Sequence, residues 1–252
     1  MGPEHFIKGR PVQLHVLDYG LFKVHANGRV IGICGFLIVT DQGERILVAT
    51  GFPQQYAADV EKASLEDRLG GFGEVLQLTH ENMPKAQLAK SGVEMGDIDL
   101  LIITHTHIDH VGGVCDFPDV PILIAKAERD LDKPMYWGKV QPMDWPEREY
   151  LLVTKDFDLG PKMRMFLVPG HAPGQLAMLL DLPESGPILL VSDAISRPDE
   201  VIEEFAGSWN ETLAIENGNR LITLAKEQGA AIIYGHCPAQ WPDLRKTPAH
   251  FT

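Results

Sequence analysis

Residues 104–111, THTHIDHV, place three histidines and an aspartate within six positions, directly after the apolar run IDLLII. Imidazoles and carboxylates at the end of a buried strand are costly unless they pair with one another or hold a cation. The same event recurs along the chain: MFLVPG runs into His171, PILLVS into Asp193 and AIIYG into His236. Apolar strands that each end on a metal-capable side chain can converge on one pocket, because neighbouring strands lie about 5 Å apart. His105 and His107 are two apart, so extended backbone points both the same way. With His171 they make three neutral imidazoles and leave a fourth position for water, the donor set of a catalytic zinc. Asp109, His110 and His236 make a second set. Asp193 has two oxygens with which to bridge two cations about 3.5–4 Å apart that share a hydroxide. These seven residues predict two divalent ions, zinc first, with cobalt, iron or manganese also suited to imidazole.

Taken singly, each residue has a plainer reading. His105 and its neighbours would be solvated loop residues, His171 a turn residue in PGHAPG, Asp193 a helix N-cap and His236 a hydrogen-bonded core histidine. The recurrence favours metal. His5, His15, His25, His80 and His250 have no such context, and Cys237 beside His236 reads as a buried thiol.

The elements that must position these residues alternate strand with helix. VQLHVLDYG, GICGFLIVT and RILVATG read as early strands. Residues 50–81 read as an irregular flap, and NMPKAQLAKSGV as a helix with Asn82 as N-cap and Gly92 as its stop. DIDLLIIT and PILIA are buried strands, followed by the charged segment KAERDLDK and a second irregular loop over 134–149. MRMFLVPG, GQLAMLLDL, GPILLVS and AAIIYG complete the strands. The clearest helix is SWNETLAIENGNRLITLAKEQG, with a capping box from Ser208 and Glu211 and Gly229 at its end. Helices spread between strands predict sheets covered on their outer faces.

The chain has 252 residues, enough for one large domain spanning 1–252, and is 44% hydrophobic and 23% charged, as soluble globular proteins are. Its 35 acidic against 22 basic residues give a net charge of -13, which argues against nucleic acid and anionic membranes as partners. The N-terminal stretch lacks the apolar core of a signal peptide, and no run is long enough to span a membrane. Cys34, Cys115 and Cys237 are too few and too scattered for a disulfide framework. A cytoplasmic location is expected.

HTHIDHVGG, VPGHAPGQ, VSDA and YGH, in this order, resemble the metallo-β-lactamase superfamily over nearly the whole chain. The resemblance implies an α+β fold, an αββα sandwich of two mixed β-sheets flanked by helices, with a dinuclear site at one edge. It assigns His105, His107 and His171 to one metal and Asp109, His110 and His236 to the other, with Asp193 bridging. Within the superfamily, EMGDIDLLIITHTHIDHVGG, the DA at Asp193 and EEFAGSW are similar to N-acyl-homoserine lactonases, the quorum-quenching group. Two departures stand out. The usual DTG, whose aspartate supports the metal site from outside the ligand set, is here ATG with Ala49. A tyrosine often found three residues after the bridging aspartate, where it bonds substrate, is here Ser196.

The expected reaction is opening of a lactone ring, with N-acyl-homoserine lactones foremost, by attack of the metal-bridging hydroxide. Asp109 would orient it or pass a proton to the leaving alkoxide, and Ser196 would retain a shorter hydroxyl for substrate. No G-x-S-x-G elbow supplies an alternative nucleophile. Met135, Tyr136, Trp137, Met143 and Trp145, with Phe52 and Phe72 opposite, would line an acyl-chain pocket or simply pack the loops down. A thioesterase resembling glyoxalase II, another small-ester hydrolase and a non-catalytic metal-binding or ligand-binding protein are the alternatives. The expected partner is a small ester or lactone, and a homodimer is compatible with the sequence.

Overall fold

Alternation within the strands decides the layering. In β5 (Leu100–Ile103), Leu100 and Ile102 point into one hydrophobic cluster, while Leu101 and Ile103 point into another. A strand with both faces buried must lie between two layers. The computed structural model, which describes residues 2–252, shows those layers. One sheet has seven strands in the order β4-β1-β2-β3-β5-β6-β7. They are β1 (Pro11–Val24), β2 (Val30–Thr40), β3 (Arg45–Val48), β4 (Gly73–Gln77), β5, β6 (Ile122–Ala125) and β7 (Tyr150–Val153). The other has five strands, ordered β12-β11-β10-β9-β8. These are β8 (Phe157–Gly160), β9 (Met163–Leu167), β10 (Leu176–Leu182), β11 (Gly186–Ser192) and β12 (Ala231–Tyr234). Both sheets are mixed: β3, β5, β6 and β7 run parallel, as do β11 and β12, and the other pairings are antiparallel.

The inner faces meet in a core that includes Val16, Ile38, Val48, Ile102, Leu123, Met165, Met178 and Leu190. Outside the larger sheet, α1 (Gln55–Ala58) and α3 (Pro84–Lys90) bury Tyr56 and Leu88 against Leu47 and Leu101. Outside the smaller sheet, α6 (Glu211–Gln228) buries Ala214, Leu221 and Ala225 against Leu189 and Val191. The short helices α2 (Val60–Glu66), α4 (Ile108–Val111) and α5 (Lys126–Arg129) complete the set. The result is the expected αββα sandwich.

Three local expectations are corrected. The 50–81 flap is not wholly irregular: it holds α1 and α2, and β4 pairs with β1 at the sheet edge. Asn82 does not cap α3; Met83 is the N-cap with proline following, and the Asn82 side chain instead accepts from Thr79 N at 3.1 Å. The α6 cap is Asn210, accepting from Leu213 N, because Glu211 bonds back to Gly207 N rather than forming the box with Ser208. Gly229 does end α6, at φ +60°. Among the described residues no helix is long and apolar enough to cross a membrane.

Candidate metal centre

The strand ends deliver the polar groups to one place. Beyond β5 the chain runs through His105 and His107 into α4, which carries Asp109 and His110. A bridge across the loop pins this segment: Ile108 N donates to Tyr136 O (2.9 Å), and Tyr136 N donates to Thr106 O (2.8 Å). The loop after β9 carries His171 and is held by the start of α6, where Asn210 N donates to Gly170 O and the Asn217 amide to Pro169 O. β11 ends in Ser192, at φ +46°, and turns directly into Asp193. A non-glycine residue there stores about 1–3 kcal/mol of backbone strain, which the surrounding packing must hold. Gly235, after β12, makes the last approach feasible, because a Cβ on it would sit 2.7 Å from Asp193 Oδ1 and 2.6 Å from Ser192 O.

The expected residues come together. Nδ1 of His107 lies 3.0 Å from Nε2 of His105 and 3.0 Å from Nε2 of His171. Three nitrogens on a tetrahedral ion at about 2.0–2.1 Å would stand about 3.3 Å apart, so this spacing suits one cation. On the other side, Oδ2 of Asp109 is 3.3 Å from His236 Nε2 and 3.5 Å from His110 Nε2. Asp193 lies between: Oδ1 is 3.3 Å from His110 Nε2, and Oδ2 is 3.2, 3.5 and 3.9 Å from Nε2 of His236, His171 and His105. Three groups have ligand atoms within 4.8 Å of one another: His105–His107–His171, His105–His110–Asp193 and Asp109–His110–His236.

The donor chemistry tests whether cations fit. His236 donates its Nδ1 hydrogen to Gly32 O (2.9 Å), so Nε2 is the atom that faces the two carboxylates. His110 Nε2 and Asp193 Oδ1 are buried with no hydrogen-bond partner. A buried carboxylate oxygen facing a buried ring nitrogen needs positive charge between them, from a proton or from a cation. The electrostatics agree. Burial holds the His105 ring well below its ordinary range and brings His107 down to about 3; His171 is also lowered by burial. All three are thus neutral, as ligands must be. Burial opposes ionisation of Asp109, but His110 and His236 reverse it and hold the carboxyl at about 2. Asp193, likewise opposed by burial, is driven well below the carboxylate range by His236 and His110. Those carboxylates in turn outweigh burial and raise His110 and His236. The His/Asp clusters are consistent with a dinuclear metal site.

The two departures have structural consequences. Ala49 sits at φ +60°, a region aspartate tolerates better than alanine. Beside it lies a cavity of about 20 Å³ whose lining includes Thr104, His110 and Ser192, room for one water. Thr104 Oγ1 is 3.4 Å from Nδ1 of both His105 and His110 and accepts from Ser192 Oγ at 3.0 Å. Ser196 acts here through its backbone: its O accepts from His236 N (2.9 Å), and its N donates to Glu200 (2.6 Å).

The aromatic residues divide. Phe72, about half exposed, packs in a tilted arrangement on Trp137 with ring centroids 5.9 Å apart, and Trp137 follows the residue paired with His107. Phe52 and Tyr136 are buried; the Tyr136 hydroxyl donates to Asp67 (2.6 Å), as does Tyr56 (2.9 Å). Trp145 packs on Tyr150 and Arg129, and Met143 packs on the outer core. Met135 is half-buried, its N donating to Thr106 Oγ1. Phe72 offers apolar surface, Trp137 and Trp145 are partly buried, with Trp137 Nε1 donating to Asp67 O (2.8 Å), and Phe52 and Tyr136 are packing residues.

Sequence reasoning missed the supporting roles of Thr104 and Thr106, which lie inside the histidine motif, and of Asp67 and Glu128, which lie in no motif. Comparison with known proteins agrees with this fold. An N-acyl homoserine lactonase of Bacillus thuringiensis is 28% identical over 220 residues, covering 85% of each chain. The lactonase AttM of Azorhizobium caulinodans is 30% identical over 182 residues, covering 66% of this chain and 68% of its own. The structure of an N-acyl homoserine lactone hydrolase with N-hexanoyl-L-homoserine bound at its catalytic metal centre superposes with a TM-score of 0.80 at 23% identity, covering 97% of this chain and 100% of its own. The pattern defining one family spans residues 34–236, from β2 through every strand-end residue of the centre. The chain belongs to the metallo-beta-lactamase superfamily.

Proposed function

We propose that this protein is a dinuclear-metal hydrolase that opens lactone rings, with N-acyl-homoserine lactones as its substrates. The observation that carries the reading is Asp193, whose two oxygens face His110 on one side and His236, His171 and His105 on the other. His105, His107 and His171 would hold one cation, Asp109, His110 and His236 the other, and Asp193 would bridge. When bound, such a pair, zinc or a similar divalent ion, supplies a hydroxide nucleophile at neutral pH and polarises a carbonyl. Support for the lactone comes from the lactonase relatives at 28–30% identity.

The chain's own residues then do the following. His105, His107 and His171, kept neutral by burial, offer nitrogen lone pairs and carry no proton of their own into the reaction. Asp109 is more open than Asp193, its side chain 14% against 7% exposed, and so is the carboxylate that reaches substrate. Its Oδ2 takes the proton released as the carbonyl is attacked and returns it to the ring oxygen as that oxygen leaves, giving the ring-opened hydroxy acid. Phe72 and Trp137 present the apolar surface on which an acyl chain lies.

The test is acid release from a panel of lactones, thioesters, β-lactams and phosphodiesters, followed by pH drop under catalytic enzyme. Acylated homoserine lactones should turn over continuously and fastest. Faster release from thioesters, or a single stoichiometric depletion, would replace this reading with a thioesterase or a binding protein.

A further inference from the structure

The two segments that carry His105–His107 and His171 come from different sheets, and a buried carboxylate joins them. Glu128, in the single turn of α5 after β6, is 0% exposed. Its Oε2 accepts from Thr106 N (3.1 Å) and from the Thr106 hydroxyl (2.6 Å), and its Oε1 accepts from Gly174 N (3.0 Å). Thr106 lies between His105 and His107, and Gly174 is three residues beyond His171. The approach is close enough to require glycine: a Cβ on residue 174 would stand 2.7 Å from Glu128 Cγ and 2.5 Å from Ala125 Cβ. Thr106 Oγ1 accepts in turn from Met135 N (2.9 Å), so the brace extends to the loop paired with His107.

A buried carboxylate is an expensive brace. Burial raises its carboxyl above the ordinary range even with the three donors present. An apolar residue would hold two strands together without that cost. What a carboxylate adds is direction, because each oxygen must meet its donors at hydrogen-bond length. Here those donors flank metal-capable histidines on both segments.

We propose that Glu128 is a positioning residue that sets the span between His105–His107 and His171, and with it the affinity of the three-histidine half of the centre for its cation. This rests on the metal reading above and not on the substrate. The other half, from Asp109, His110 and His236, has its own supports in Thr50 and Gly32 and does not touch Glu128. The effect is therefore selective for one cation of two.

The test is stepwise titration of metal-stripped protein with Co2+ or Zn2+ against a chelating indicator. Wild type should bind two ions in separable steps. Glu128→Gln is isosteric, but its amide nitrogen must face either Gly174 N–H or the Thr106 donors, hydrogen against hydrogen. One step should weaken about 10–100-fold, the usual size for lost support of a ligand, with the other within about threefold. The weakened step should be the one that His171→Ala removes. The fold should persist, since Leu176 N still bonds Thr104 O (2.9 Å) between the same segments. If Glu128→Gln does not fold, Thr106→Val, which deletes the hydroxyl's bonds to Glu128 and from Met135 N but leaves Thr106 N on Glu128, carries the same selective prediction, and Thr106→Ser should restore it. Equal weakening of both steps, or a lowered melting temperature with both affinities intact, would show a brace for the fold alone and overturn the proposal. A wild type that saturates at one ion would overturn the selectivity together with the dinuclear centre. No substrate enters the titration, so the lactonase reading can fail without this one.

Discussion

Replacing Asp109 with asparagine isolates the carboxylate that faces substrate. The amide has nearly the same shape, and the side chain does no structural work: His107, not Asp109, caps α4, without a side-chain bond. Its polar neighbours are the Nε2 atoms of His236 at 3.3 Å and His110 at 3.5 Å. The fold should therefore persist with cations bound, when His110 and His236 are neutral ligands that do not need its charge. Two functions are removed at once. An amide cannot take and return a proton, a role worth about 10²–10⁴-fold. It also brings no negative charge, and unit charges about 4 Å apart interact by about 4 kcal/mol in a partly screened site, so the cation held with His110 and His236 should bind more weakly. Assaying with that cation in excess separates the two. With two ions loaded, turnover of the best lactone should fall at least about a hundredfold, about 2.7 kcal/mol in the barrier, while KM moves only a few-fold. The readouts are initial rates by pH-stat and elemental analysis of the same sample. Turnover within about fivefold of wild type at full occupancy would refute a proton-transfer role for Asp109 and leave it a ligand at most.

Carefully purified protein should carry close to two divalent ions per chain, and reproducible saturation at one, unchanged by added metal, would be inconsistent with Asp193 as a bridge. Ser196→Ala should change lactone turnover little, whereas Ser196→Tyr should raise it by up to about tenfold, since one neutral hydrogen bond is worth about 0.5–1.5 kcal/mol; no gain would mean the pocket suits a different ester. Away from the centre, His15 is buried on Ser91 and stacks on His250, and burial together with His250 brings its ring down to about 4. The unfolded chain binds that proton more tightly than the folded one, so stability is complete above about pH 6.5 and falls as pH drops toward 4, by up to about 3 kcal/mol. Denaturant unfolding at pH 7.5 and 4.5 should show a larger loss in wild type than in His15→Gln, in which the other lowered histidines still titrate; equal losses would remove His15 as the cause.

The strand-end pattern made the centre legible in the sequence. His105, His171, Asp193 and His236 each follow an apolar run, and a run long enough to be a buried strand fixes where its next residue emerges. Sheet geometry then leaves such residues few places to be except together. Cover on both faces of β5 and β6 was legible for the same reason, since continuous apolar runs demand it; the αββα layering itself came from the resemblance. What local sequence does not carry is which distant group a side chain will meet. Glu128 sits in KAERDLDK, where nothing separates one buried carboxylate from its solvated neighbours, and only the docking of the 170–174 loop against α5 excludes water from it. Tyr136 and Phe52 have the composition of a ligand pocket, but Asp67 and the outer core claim them, leaving Phe72 exposed against a partly buried Trp137. The ATG at Ala49 was visible as a departure; that a left-handed alanine stands there beside a cavity of about 20 Å³, with Thr104 against two histidines, follows from the two sheets meeting there. Residue type and spacing determined which groups could hold metal, because those depend on chemistry and strand period. Tertiary packing decided which groups hold them in place, because burial and hydrogen-bond partners are properties of surfaces far apart in the chain.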